Sequence, residues 1–106
     1  MAKIEWNEEA QLLFIAYVTN ARTVFGERTA KRWLKERKNI EWRLERYPES
    51  YPLEELLAGR KVVYRRCSMM NRRFKLVYFY DDSKDAVRIV DIWDTRRNPN
   101  TLISRL

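Results

Sequence analysis

Arg73, Lys75, Val77 and Phe79 alternate with Phe74, Leu76, Tyr78 and Tyr80 in one run. Successive side chains of a strand point to opposite faces, so the two sets look opposite ways. The aromatic set is predicted to face a core, which leaves Arg73 and Lys75 on an open side. At cross-strand spacings of about 5 Å, Arg65 or Arg66 from the run before and Arg88 from the run after can join them. Arg96 and Arg97 lie just past the last strand and would close one end. The expected product is a cationic groove on the open face. Guanidinium groups present a fixed fork of donors that fits phosphate or carboxylate, so the chemistry implied is the holding of a polyanion, either nucleic acid or an acidic protein segment.

The same inventory excludes much. There is no histidine and only one cysteine, Cys67, which removes disulfide frameworks, Cys/His metal sites and imidazole or Cys-His catalysis. No Walker loop, dinucleotide fingerprint or acid/base carboxylate pair occurs. Asp91 and Asp94 read as ion-pair partners of Arg88 and Arg96, and Cys67 as a small apolar filler. No cofactor and no metal are expected.

The net charge is +7, and its placement is lopsided. Residues 1–59 carry ten basic and ten acidic residues, whereas residues 60–106 carry twelve basic and five acidic, nine of the twelve being arginine. The whole excess therefore accompanies the proposed groove. At 106 residues, with 45% apolar and 35% charged residues, one domain over 1–106 with its own core is expected. The longest apolar run, Leu12 to Val18, is far short of the ~20 residues needed to span a bilayer, and no signal segment opens the chain. A cytoplasmic protein without membrane contact is the expectation.

The elements that must position these residues can be read in order. Lys3 to Trp6 alternates as a short strand, and Asn7 followed by Glu8 and Glu9 reads as a helix start. Ala10, Leu13, Phe14, Tyr17, Ala21, Val24 and Phe25 keep helical spacing up to Gly26, which suits a helix end. Ala30, Trp33, Leu34, Arg37, Ile40 and Leu44 predict a second helix that stops at Pro48 and lies antiparallel to the first. Trp42 falls away from that stripe, beside Lys31, Lys35 and Lys38, and is a candidate partner contact. Tyr47 to Gly59 is a turn-rich connector with a short helical piece at Leu53–Ala58. Val62–Tyr64, Phe74–Tyr80 and Ala86–Trp93 then predict an antiparallel meander with turns at Met69–Arg72 and Asp81–Lys84. Asn98-Pro99 starts a final short helix to Leu106. The fold class is α+β in the order β-α-α-β-β-β-α, an antiparallel sheet with a two-helix hairpin on one face and the other face open. Trp33, Leu34, Ile40 and Leu44 are expected to bury against Leu76, Tyr78 and Tyr80.

This order, with the Phe25-Gly26-Glu27-Arg28-Thr29-Ala30 joint, Tyr47-Pro48, Phe74-Lys75-Leu76-Val77-Tyr78 and Ile92-Trp93-Asp94-Thr95-Arg96-Arg97-Asn98-Pro99, resembles the RelE/ParE superfamily of type II toxin-antitoxin toxins over nearly the whole chain. The resemblance implies a plasmid-stabilisation type toxin neutralised by a small cognate antitoxin, with either DNA gyrase or the ribosome and its mRNA as target. For an mRNA endoribonuclease, it would make Lys75 and Arg97 catalytic. Arg65, Arg66, Arg73, Arg88 and Arg96 would bind the target or nucleic acid, and Trp42 would bind the antitoxin. The cleaving branch often ends in tyrosine, histidine or glutamate, and after Trp93 this chain has none of them. The Arg-Arg-Asn-Pro ending is more similar to the gyrase-poison branch, although that branch's usual His-Gly is here Asp94-Thr95. The sequence thus favours a ParE-like inhibitor and leaves open both a RelE-like ribonuclease and a non-toxic nucleic-acid-binding domain. Phe79 is the only aromatic assigned to the open face, a poor stacking platform for the last of these.

Overall fold

The computed structural model describes residues 1–106. Strand β1 (Lys3–Trp6) leads into helix α1 (Glu8–Phe25) and helix α2 (Glu27–Arg46). A 3₁₀ turn (Glu55–Leu57) precedes β2 (Tyr64–Met69), β3 (Phe74–Asp81), β4 (Ala86–Asp94) and helix α3 (Pro99–Arg105). The strands form one sheet in the order β1-β4-β3-β2. The last three are an antiparallel meander, as the sequence predicts, and β1 adds to β4 in parallel. No helix is long and apolar enough to cross a membrane.

A single residue, Gly26, joins the two long helices at φ +100° and ψ 176°, a backbone region that essentially only glycine enters. Its N–H donates to the carbonyls of Ala21 and Arg22 at the end of α1. The abrupt reversal leaves α1 and α2 side by side on one face of the sheet. There Phe14, Val18, Trp33, Ile40 and Leu44 form a core with Cys67, Leu76, Tyr78, Val87, Ile89 and Ile92. Tyr80 is partly buried against it. Leu34 departs from the expected core and is exposed, because it sits at the margin of the stripe that Ala30, Trp33, Ile40 and Leu44 define at 100° per residue.

β2 lies later than expected, at Tyr64–Met69 in place of Val62–Tyr64. Beyond Tyr64 its residues carry no strong strand preference, but pairing with β3 (Arg66 with Val77, Cys67 with Leu76, Ser68 with Lys75) fixes them as strand.

The expected open face is not open. A second core of Leu57, Val77, Trp93 and Leu102 covers it, with Tyr64, Val90 and Leu106 at its margin. The 3₁₀ turn supplies Leu57 and α3 supplies Leu102. In β4 the pairs Tyr78–Ile89 and Val77–Asp91 leave Val90 as an extra, bulged residue. The bulge resets the alternation: Val87 and Ile89 face the helices before it, Ile92 after it, and Asp91 and Trp93 turn to the second core. The nearly unbroken apolar run of β4 is the pattern of a strand covered on both sides.

Candidate anion-binding surfaces

Lys75 stands at the middle of β3, between Ser68 of β2 and Trp93 of β4. Its side chain is only 12% exposed, and its ammonium lies 2.5 Å from Oε2 of Glu54, itself 3% exposed. The other carboxylate oxygen of Glu54 accepts the N–H of Leu56, and its backbone N–H donates to the Tyr64 carbonyl. Glu54 therefore does two jobs at once. It caps the 3₁₀ turn that delivers Leu57, and it neutralises the cation beneath.

The remaining arginines do not form one groove. Arg66 shares the Lys75 face and donates to the Leu53 carbonyl, whereas Arg65 points to the helix side, bonding the Tyr51 carbonyl at 2.9 Å with Glu49 3.9 Å away. Arg88 lies at the β1 end of the sheet between Glu5 and Asn7. Arg96 clamps Asp94 with both arms of its fork at 3.0 and 2.9 Å, and that clamp holds the Asp94 carboxyl below the usual carboxylate range. Arg97 lies over the Trp93 ring at 5.5 Å. Of the sequence-predicted ion pairs, Asp94–Arg96 forms. Asp91 instead pairs with Arg105 of α3, which sequence reasoning did not single out.

Asp91 is nearly fully buried, and desolvation raises its carboxyl above the ordinary value, with Arg105 opposing. A group whose folded pKa is raised disfavours the fold when ionised and ceases to do so as it protonates. Arg105→Ala strips Asp91 of its counterion. Because Arg105 is one-third exposed, the expected loss at neutral pH is about 2 kcal/mol, below the range for fully buried pairs. That loss should shrink as pH falls through the acid side, starting above 3.8, the ordinary aspartate value. Urea unfolding of the variant and the parent at neutral and mildly acidic pH checks this, the Asp94 contribution cancelling between them. A loss that does not change with pH would mean Arg105 acts only by packing on Trp93.

Arg73, an exposed cation without a carboxylate partner, lies at the opposite end of the sheet. There it and Arg96 border a cleft of about 280 Å³ between the α1–α2 joint and the β2–β3 turn. Tyr17, Trp33 and Phe74 pack against one another along it, and Phe25 stands at its edge, 65% exposed. Three successive turn residues, Met70, Asn71 and Arg72, hold left-handed φ of 51°, 58° and 65°. Such conformations cost on the order of 1 kcal/mol each outside glycine. Two bonds to α2 fix them: the Met70 N–H donates to Glu36, and Arg32 donates to Asn71 Oδ1, both at 2.8 Å. Sequence reasoning missed Glu54, Tyr17, Arg32 and Asn71. Each acts through a partner far along the chain, and only the Met- and Arg-rich turn carried a local sign of unusual geometry. Trp42 is exposed on the outer face of α2, with the Arg46 guanidinium 4.1 Å above its ring.

No protein-family model matches the chain, and no curated protein matches it in sequence. Solved structures do. A chain of the chromosomal ParDE toxin-antitoxin system from P. aeruginosa superposes with a TM-score of 0.67, covering 89% of this chain and 96% of that one at 12% identity. The isolated E. coli RelE toxin gives 0.58 at 15% identity, covering 98% and 95%. A chain of the intact E. coli RelBE toxin-antitoxin complex gives 0.57 at 16%, covering 92% and 100%. The chain has the RelE/ParE-like α+β fold.

Proposed function

We propose that this chain is the toxin of a type II toxin-antitoxin pair, and that it acts as a ParE-like inhibitor of DNA gyrase rather than by cleaving RNA. Its fold is shared with both ParDE and RelE structures, so fold alone does not separate the two activities. The observation that carries the choice is the burial of Lys75. A ribonuclease using the β3 cation needs it free to meet a phosphate or move a proton. Here Glu54 occupies it, Leu57 and Leu102 cover the face, and α3 brings no histidine, tyrosine or glutamate to it. Binding through surface arginines needs none of that machinery.

The antitoxin partner is an acidic, amphipathic segment that orders on binding. Trp42 offers an apolar anchor, and Lys31, Lys35 and Lys38 beside it are exposed and have no carboxylate partner within ion-pair distance.

Inducible expression of the chain alone and with the adjacent reading frame tests the first step. Growth arrest relieved by the neighbour is expected. Purified protein should then inhibit gyrase supercoiling and leave ribosome-bound mRNA intact. Ribosome-dependent cleavage without any effect on gyrase would reverse the assignment.

A further inference from the structure

The cleft beside Arg73 lies on the helix side of the sheet and shares nothing with Lys75 or Arg66. We propose that it binds a nucleotide: a planar base against Tyr17, with Phe25 at the mouth and its phosphate on Arg73. This goes beyond the toxin reading and does not depend on it.

Four features of the cleft lead to that ligand. Its volume, about 280 Å³, sits at the small end of ligand sites and suits one flat ring system with an attached anion. Phe25 is exposed at the mouth, and Tyr17 is half-buried and already stacked on Trp33 at 15° between planes, so a third ring can extend an existing stack. No carboxylate lines the cleft. Arg73 has no acidic partner, and Arg32 and Arg96, although bonded to Glu36, Asn71 and Asp94, each keep an unused terminal nitrogen. Finally, Asn20, the Asn71 amide nitrogen and the Tyr17 hydroxyl border the same space without hydrogen-bond partners in the protein, which supplies donors and acceptors for a base edge.

The wall is also pre-formed. Clamping the left-handed turn to α2 through Glu36 and Arg32 removes most of the ordering cost that a free loop would incur on binding. An acidic peptide with an aromatic side chain would meet the same cations and could bond Asn20 through its backbone, but only a base carries its donors and acceptors on the edge of the same ring that stacks on Tyr17.

The test is an NMR titration of the full chain, following the Trp33 indole resonance, with 5′-mononucleotides, single-stranded tetranucleotides, inorganic phosphate and an acidic aromatic peptide. Nucleotides should perturb Trp33 more strongly than phosphate alone. Phe25→Ala and Arg73→Ala, both at exposed positions, should each raise Kd about 10-fold. Lys84→Ala, a cation in the β3–β4 turn at the far end of the sheet, should leave Kd within about 2-fold. A tetranucleotide binding more tightly than a mononucleotide identifies a strand as the source; equal affinities identify a free nucleotide, and either supports the site. Three outcomes would overturn it: no perturbation by any nucleotide at millimolar concentration, equal weakening by Lys84→Ala, or perturbation by the peptide alone.

Discussion

Lys75→Met is expected to cost about 3–5 kcal/mol of folding stability at neutral pH, the range for breaking a buried ion pair by removing one partner. The reason lies with Glu54. With its side chain 3% exposed, it would be left as a buried carboxylate with only the Leu56 N–H to meet it. Neutralising the second partner should repair most of the damage. In Lys75→Met/Glu54→Gln the amide oxygen still caps the 3₁₀ turn and no charge is buried, so stability should return to within about 1–2 kcal/mol of the parent. The double-mutant cycle then reports a coupling well above the few tenths expected of independent sites. It also isolates function from folding. On the proposed toxin function, lost toxicity in the single variant has two explanations, whereas toxicity retained in the repaired double variant removes Lys75 from the mechanism. A single variant as stable as the parent would mean that the ammonium is free, and would revive the ribonuclease reading.

The behaviour of Lys75 also marks where sequence reasoning stops. The alternation in β3 placed Lys75 correctly on the face away from the helices, and Trp33, Ile40, Leu44, Leu76 and Tyr78 are buried as their spacing requires. Those are local, periodic signals, and they are reliable because a strand or helix repeats them several times. The cover over the second face is not periodic. It depends on Leu57 and Glu54 from a turn-rich connector and on Leu102 from a short terminal helix. Each is a single residue brought in by tertiary contact. Val77 and Phe79, apolar on the supposedly open face, were the available sign that something had to lie on top of them.

The bulge at Val90 has the same character. Strict alternation through Ala86–Trp93 would put Asp91 on the helix side with Val87 and Ile89, and one extra residue turns it to the second core, against Arg105. Pairing partners inferred from sequence proximity were therefore right for Asp94 and Arg96, two residues apart, and wrong for Asp91. Charge composition correctly showed where the arginines accumulate. It did not show that Glu54, Glu5, Asp94 and Asp91 would occupy Lys75, Arg88, Arg96 and Arg105 and so divide the basic surface into separate patches.

Adjacent residues of α2 should respond to truncation in opposite ways. Trp33 is 3% exposed and packs against Phe14, Tyr17 and Phe74 at ring separations of 6.1, 5.6 and 4.8 Å, while its neighbour Leu34 is 48% exposed. Trp33→Ala removes a large side chain from the centre of the helix–sheet interface and should cost about 3–5 kcal/mol, or roughly 15–30 °C in melting temperature for a domain of this size. Leu34→Ala removes a half-exposed side chain and should cost under about 1 kcal/mol. Chemical unfolding of the two variants beside the parent measures both. Tyr17, Trp33 and Phe74 line the cleft, so Trp33→Ala should also weaken nucleotide binding, read from the Tyr17 and Phe74 ring resonances, and Leu34→Ala should not. Comparable losses in the two variants would mean that α2 presents a different face to the sheet, and both the core and the cleft would then have to be redrawn.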